Sequence, residues 1–324
     1  MHKNFQEAYY AMLNKVKNEG SDVEVRGLAM KELIPGYFEI ANPRDRLLNI
    51  DCRSNIKKYI FGELMWYLTG RDDVEFINKY SKQWAPLSDD GIHSNSAYGK
   101  YIFRMMPIKG WGVDYTCENC GKCDCLDCDI EALPHKSQWD HVKEVLTKDP
   151  YSRQAVIHIK PIQLYPTKDV TCTYFLQFFI RNNKLDLVVG MRSNDLLFGT
   201  TYDVFMFTFL QELMAAELGV ELGVYKHFAS NIHFYMKDSN KIEEILSEDS
   251  EKPTLVFPEI PANFREYDLP KLTIIEKEYW KNGGYIVLNL YNELSPIGKQ
   301  LVSFLTNDDI KFCRYTLEFE DKLS

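Results

Sequence analysis

The sequence predicts one domain in which helices and neighbouring sheet strands share a core, and three observations predict it. The segment Ile56 to Gly70, IKKYIFGELMWYLTG, is strongly apolar and ends on a glycine stop, so it reads as a buried helix. From Arg153 the pattern changes: AVIHI, TYFLQFFI and LDLVVGM are β-rich runs with alternation, separated by turn formers around Pro161 and at Asn182 and Asn183. Asp203 to Leu218 is helical in length, almost wholly apolar, and stopped by Gly219.

The remaining elements follow in order. Phe5 to Lys17 carries Ala8, Tyr9, Met12, Leu13 and Val16 at helical spacing. A polar linker, Ser88 to Ser96, precedes a cysteine-rich segment and then a charged helix around Gln138 to Thr147. FASNIHFY reads as a further strand. No internal repeat or low-complexity linker divides the chain. The organisation predicted is a catalytic domain over 1–240, with a Cys-rich insertion at about 112–134, and a C-terminal extension over 241–324 packed on the same domain.

Composition limits the function classes. The 324 residues are 45% hydrophobic and 26% charged, an ordinary globular balance. With 38 Lys+Arg against 47 Asp+Glu the net charge is −9, which argues against a protein that coats a nucleic-acid polymer. A small anion remains compatible, because a few placed arginines suffice for one phosphate. No apolar run approaches the roughly 20 residues needed to cross a bilayer. Met1 to Gly20 mixes lysine with glutamate where a signal peptide needs an apolar stretch, so the expected location is cytoplasmic.

Five of the eight cysteines, Cys117, Cys120, Cys123, Cys125 and Cys128, fall in one short run, while Cys52, Cys172 and Cys313 are far apart. That is no disulfide framework. Thiolates at the clustered spacing can wrap a tetrahedral structural zinc; the alternative is a flexible, reduced loop, since five exceed four ligands and no second CxxC knuckle follows.

Four features bear on chemistry: Glu63 in its apolar helix, Cys172, the segment Met191 to Asp203, and NIHFY ending at Tyr235. Singly, each has an ordinary reading: a buried small cysteine, a solvated turn, a core histidine. An acid among apolar neighbours is costly unless its charge is compensated or its pKa is raised, and a raised pKa suits proton transfer near neutral pH. Together and in this order they resemble the thymidylate synthase and pyrimidine nucleotide hydroxymethylase family over about Arg26 to Tyr235. The matching strings are GELMWYLTG, SAYGK, DPYSRQ, RSNDLLFG and IHFY, with a 20-residue step from Cys172 to Arg192 and an 11-residue step from Arg192 to Asp203.

The resemblance implies an α+β, thymidylate synthase-like fold, a mixed twisted sheet covered by helices, with sheets packed back to back in a homodimer. It implies that a Cys172 thiolate adds to C6 of a pyrimidine nucleotide, so that C5 attacks a one-carbon unit from 5,10-methylenetetrahydrofolate. Nearby arginine charge would raise the reactive thiolate fraction. Arg192 and Ser193 would hold the phosphate, with Arg26, and with Arg153 donated from a second subunit. The family's second arginine at that point is Gln154 here. His233 and Tyr235 would hold the sugar. Glu63 would organise water and proton transfer, Tyr98 would help remove the C5 proton, Asp195 would bond the pterin ring, and Gly199 would let backbone approach the ligand.

Base choice turns on Asp203, where uracil-specific members carry asparagine. A carboxylate suits an exocyclic amine at N4 and a proton gained at N3, which is cytosine during thiol addition. The competing reading makes Asp203 the cap of the following helix. With Thr173 after the nucleophile, the segment also resembles bacteriophage deoxycytidylate hydroxymethylases. At the position of an indole that shields the methylene intermediate stands Ser81, with Trp84 retained, so room for water and a 5-hydroxymethyl product are expected. The expected function is therefore a dCMP or CMP 5-hydroxymethyltransferase. The alternatives are a thymidylate synthase, a dUMP hydroxymethylase, or a non-catalytic nucleotide binder.

Overall fold

The structure is a computed structural model, and it describes residues 1–104, 106–107, 135–159 and 167–313. Helix α1 (Phe5–Glu19) starts at Asn4, whose side chain accepts from the Glu7 amide, and buries the expected apolar stripe. Strands β1 (Ser21–Val25) and β2 (Leu28–Leu33) form a hairpin that turns through Arg26 and Gly27, at φ of 53° and 76°, the left-handed pair that a two-residue hairpin loop requires. Strand β3 (Gly36–Ile40) follows, then α2 (Lys57–Leu68), α3 (Val74–Asn78), α4 (Trp84–Leu87) and α5 (Tyr98–Phe103). The short pair β4 (Met106–Pro107) and β5 (His135–Lys136) leads to α6 (Gln138–Lys148).

The centre comprises β6 (Val156–His158), β7 (Thr173–Arg181), β8 (Lys184–Met191), β9 (Asn194–Asp195), α7 (Gly199–Leu218), β10 (Glu221–Ala229) and β11 (Ile232–Tyr235). Asn182 and Asn183, at φ of 51° and 59°, make the tight turn between β7 and β8. Five strands in the order β3-β10-β8-β7-β6 form the main sheet, with β8 and β10 parallel and the other pairs antiparallel. A second sheet runs β1-β2-β11-β9. Helix α7 lies against β8 and β10 and, being apolar all round, is buried along most of its length.

The rest of the described chain is α8 (Ser239–Ser247), α9 (Phe264–Lys281), β12 (Tyr285–Val287), α10 (Leu288–Glu293), α11 (Pro296–Leu305) and β13 (Lys311–Cys313). Helix α11 packs on α2, and Phe304 meets Phe205 of α7 and Phe257 edge-on or tilted, so this portion shares the central hydrophobic cluster. Among the described residues no helix is long and apolar enough to cross a membrane.

Two expectations change. FASNIHFY is not one strand: it breaks at Ser230–Asn231, where the chain passes from the main sheet (β10) to the second (β11). The backbone bonds Ser230 N–H to Met191 C=O (2.8 Å) and Asn194 N–H to Asn231 C=O (2.9 Å) tie this crossing to the parallel one between β8 and β9. Helix α7 begins four residues before Asp203, at Gly199, with Phe198 in the cap position, so Asp203 is not a helix cap. The Gly-Thr-Thr start carries little apolar signal, which hid the first turn.

Candidate active site

The site forms where both crossings leave the main sheet. Antiparallel pairing of Thr173 with Met191 sets Cys172, just before β7, beside Arg192, just after β8. The Arg192 amide donates to Cys172 C=O (2.8 Å), and its guanidinium donates to Thr171 C=O through Nε (2.9 Å) and to Val170 C=O through Nη2 (2.8 Å). Held by these carbonyls, Nη2 also lies 3.4 Å from Cys172 Sγ. Burial pushes the Cys172 thiol up, the Arg192 charge pulls it down, and Asp203, Asp169 and Asp195 push it up again. The arginine acts in the expected direction, yet burial and the acids outweigh it, so the resting thiol is held above its ordinary value.

Tyr98, the first residue of α5, is buried, and its hydroxyl oxygen accepts from the amides of Cys172 (3.1 Å) and Thr173 (3.2 Å). With both lone pairs engaged, the hydroxyl keeps its own hydrogen to offer elsewhere.

Two buried carboxyl groups belong to the site, and the charge of one acts on the other. Glu63 on α2 is 7% exposed; its Oε1 accepts from Tyr59 Oη (3.2 Å), which in turn accepts from the Trp84 indole (3.1 Å). Its Oε2 is buried and has no partner among the described residues. Burial first, and the neighbouring Asp203 charge second, push Glu63 up to about 8. Burial pushes Asp203 up to about 7; a hydrogen bond from Asn194 Nδ2 (2.8 Å) opposes this and Asp195 adds to it. Two carboxylates sharing a low-dielectric site resist double ionisation, so a proton is retained between them near neutral pH.

Behind Asp203 runs a buried polar chain. Asn194 Oδ1 accepts from Thr200 Oγ1 (2.6 Å) and bonds His227 Nε2 (3.0 Å), and His227 Nδ1 bonds Tyr225 Oη (2.8 Å). His227 is fully buried and stacked on Phe38, ring centroids 4.7 Å apart. Burial pushes it down to about 3, so the ring is neutral. Gly199 is part of this arrangement: a Cβ there would stand 2.9 Å from Asn194 Nδ2 and 3.4 Å from Asp203 Oδ2.

On the far side, Asp195 Oδ1 accepts from the amides of Leu197 (2.7 Å) and Phe198 (3.3 Å), and burial raises its pKa. His233 Nδ1 bonds Asn231 Oδ1 (2.8 Å), and burial lowers its pKa. The His233 and Tyr235 rings meet edge-on at 5.3 Å, as strand alternation predicts. Arg26 is exposed at its hairpin tip, and its charge acts on the Tyr235 hydroxyl. Ser193 is half-buried between Arg192 and Asn194.

Two expected residues stand apart from this cluster. Arg153 is exposed and its carbonyl accepts from Gln177 Nε2, in the middle of β7. Because Val156 pairs antiparallel with Gln177, the chain before it runs away from Cys172, which puts Arg153 on the order of 20 Å off along the strand. Ser81 is half-buried in the turn after α3, its amide bonded to Ile77 C=O (3.0 Å) and its hydroxyl accepting from the Gln83 amide (3.4 Å). The indole tied to Glu63 through Tyr59 is Trp84. Cys117, Cys120, Cys123, Cys125 and Cys128 lie outside the described residues. Among the described ones no group of three or more His, Cys, Asp or Glu could hold a metal, and Cys52, Cys172 and Cys313 are free.

Sequence reasoning missed Tyr59, Thr200, Tyr225 and His227 as site residues. Tyr59 precedes Glu63 by one helical turn, a spacing that could have found it. Tyr225 and His227 alternate inward on β10, but alternation alone does not say which side chain they meet.

A thiol beside an arginine, with two carboxyl groups of raised pKa and a tyrosine hydroxyl around it, defines a site for nucleophilic addition with local proton transfer. The family described as thymidylate synthase matches residues 7–283, and the chain belongs to that family. It is similar to the deoxyuridylate hydroxymethyltransferase of Bacillus phage SP01, 33% identical over 235 residues, covering 71% of this chain and 57% of that protein. It is also similar to the deoxyuridylate hydroxymethyltransferase of Delftia phage PhiW-14, 26% identical over 254 residues, with 74% and 62% covered. A thymidylate synthase of Haloferax volcanii is 24% identical over 185 residues, with 53% and 49% covered. The chain thus spans from about half to about three fifths of the length of these relatives. Among solved structures, thermostable thymidylate synthase A from Bacillus subtilis superposes with a TM-score of 0.56 at 22% identity, over 76% of this chain and 85% of that one. The α+β thymidylate synthase fold is therefore shown. The phage relatives' names specify deoxyuridylate, where the sequence pointed to a cytosine nucleotide.

Proposed function

We propose that the protein transfers a one-carbon unit to C5 of a cytosine nucleoside monophosphate, dCMP or CMP, and releases the 5-hydroxymethyl product. The observation that carries the choice of base is Asp203, acting on Glu63 and Cys172 with a pKa of about 7. As the Cys172 sulfur bonds to C6, the ring's electron pair moves toward N3, which takes the proton of neutral Asp203. The resulting carboxylate accepts from N3–H and from the N4 amine. C5 is then nucleophilic. Bound 5,10-methylenetetrahydrofolate supplies the electrophilic carbon.

The residues present suit such a group. Asp195 offers carboxylate oxygen to ring N–H donors. Arg53, whose Nε is buried without a partner among the described residues, lines a cleft of about 420 Å³ and offers positive charge to a carboxylate-bearing tail. Tyr98, its oxygen engaged by two amides beside Cys172, offers its hydroxyl hydrogen to a water that takes the C5 proton. Glu63, protonated at neutral pH and with one oxygen free, handles the water that completes the product as sulfur leaves C6. Arg26, Arg192 and Ser193 take the phosphate, and His233 and Tyr235 the sugar hydroxyl.

The protein works as a homodimer in this reading. The main sheet's second face carries Tyr37, Phe228 and Tyr174, each between 39 and 51% exposed, and a second copy packed there would bring in Arg153 from its remote edge. A structural zinc at the cysteine cluster remains a proposal for chelation and metal analysis.

A second reading, dUMP as substrate, is favoured by the names of the phage relatives. The two are separated by incubating the protein with methylenetetrahydrofolate and CMP, dCMP or dUMP tritiated at C5, and weighing the product. Tritium release from cytosine nucleotides with a hydroxymethyl mass is expected. Release from dUMP alone overturns the base assignment, and an absorbance rise from dihydrofolate would mark methylation instead. If nucleotide binds without any release, the protein is a binder and not an enzyme.

A further inference from the structure

The buried chain behind Asp203 has a direction. Asn194 Oδ1 can only accept, and it takes the Thr200 hydroxyl at 2.6 Å, so the His227 nitrogen 3.0 Å away must carry the ring's hydrogen. Neutral His227 then has Nδ1 free to accept, and Tyr225 O–H donates to it at 2.8 Å. Turned over, the Asn194 amide would need Thr200 to donate to Asp195 C=O instead (3.1 Å) and His227 to move its hydrogen to Nδ1. It would also set a carbonyl against Asp203 whenever that carboxyl group is ionised; the orientation with Nδ2 toward Asp203 serves both of its protonation states. The amide is thereby locked with Nδ2 toward Asp203 Oδ2 at 2.8 Å. All members are sealed from solvent: Asn194 is 2% exposed and Tyr225, His227 and Thr200 are 0%.

We propose that the chain Tyr225–His227–Asn194 decides which oxygen of Asp203 carries its proton, and so makes these three residues positioning residues for base selection. A carboxyl group free to hold its proton on either oxygen can present donor and acceptor in either order. It would then complement both the cytosine edge (acceptor N3, donor N4) and the uracil edge (donor N3, acceptor O4). A permanent donor at Oδ2 breaks that symmetry: Oδ2 accepts, and Oδ1 holds the hydrogen. The other groups acting around Asp203 are Glu63 and Tyr67 from α2, Tyr98 from α5, Cys172, and Asp195. Among the described residues, it is the Asn194 side chain that hydrogen-bonds Asp203. The inference rests on the reading that Asp203 faces the base.

The test measures kcat/KM for C5 tritium release from dCMP and from dUMP in wild type, Asn194→Leu, His227→Phe and His227→Gln. The expected result is that discrimination between the two bases falls by about tenfold or more in Asn194→Leu and His227→Phe. His227→Gln, which can still donate to Asn194, should recover a large part of it. If both substrates slow by the same factor and the ratio stands, the chain is only structural and the inference is overturned. Should wild type prefer dUMP, the cytosine assignment fails separately, while the chain is still judged by whether that preference collapses toward unity. His227→Phe preserves the stacking on Phe38, so it keeps the question open to measurement if Asn194→Leu does not fold.

Discussion

The Arg192 guanidinium lies 3.4 Å from the Cys172 sulfur while two backbone carbonyls hold it in place, and it is the leading influence that opposes burial at that thiol. Removing it in Arg192→Leu should leave burial and the nearby acids unopposed. Alkylation of Cys172 by iodoacetamide at pH 8, followed by peptide mass, should slow about tenfold, since reaction runs through the thiolate. An unchanged rate would mean the contact does not tune the thiol. Cys172→Ser should lose at least about a thousandfold in turnover and keep nucleotide binding, measured by calorimetry.

Glu63 and Asp203 make stability depend on pH in a direction opposite to most acids. Both are raised in the folded protein, to about 8 and about 7, from ordinary carboxylate values of 4.5 and 3.8. Between about pH 4 and pH 8 the folded state therefore holds more protons than the unfolded chain, and stability falls as pH rises through that window. Glu63→Gln removes about half of the cost. Its unfolding midpoint should match wild type near pH 5 and exceed it near pH 8.5, by on the order of 1–3 kcal/mol in urea titrations. A variant less stable at both pH values would show that the carboxyl group is not buried as a strained acid.

Asp203→Asn replaces a carboxyl group by an amide that accepts from N3–H and donates to O4 together. Preference should move toward dUMP by about a hundredfold in the ratio of kcat/KM values. A ratio that does not move would separate Asp203 from base recognition.

Much of this was legible in the chain. Cys172 and Arg192 meet because β7 and β8 pair with a two-residue Asn182–Asn183 turn, and both the alternation and the turn formers are plain in the sequence. Glu63 was legible because an acid in an otherwise apolar helix needs a reason. The Asn194–His227–Tyr225 chain was not, because it joins a two-residue strand of one sheet to an inward face of the other. The relation depends on where the chain crosses between sheets. The start of α7 was hidden for a related reason: Gly199 is there to leave space for Asn194 and Asp203, so the residue that reads as a turn opens a helix.

Ser81 tests the choice between water and hydride. Trp84 already reaches Glu63 through Tyr59, so an indole is available at that end of the site, and the family resemblance would put a second one where Ser81 stands. Ser81→Trp should cut the hydroxymethyl share of product, read by mass spectrometry, in favour of the methyl form by severalfold. If the share holds, the water is not governed from this turn.

Arg153 lies toward the end of β7 opposite to Cys172, so within one subunit it has no route to the thiol's ligand, whereas the apolar outer face of the main sheet invites a second copy. Arg153→Ala should raise the nucleotide KM about tenfold or more, the cost of a lost charge-assisted phosphate contact, and leave the dimer intact. Mixing that variant with Cys172→Ser, after dissociation and reassociation, gives the decisive case. In a mixed dimer one site combines both defects, while the other has its own Cys172 and receives an intact Arg153 from the neighbour. Random pairing makes about half of the dimers mixed, so up to about a quarter of wild-type activity should return from two deficient proteins. Mixed dimers that form, by native mass spectrometry, and stay inactive would show that Arg153 serves its own subunit.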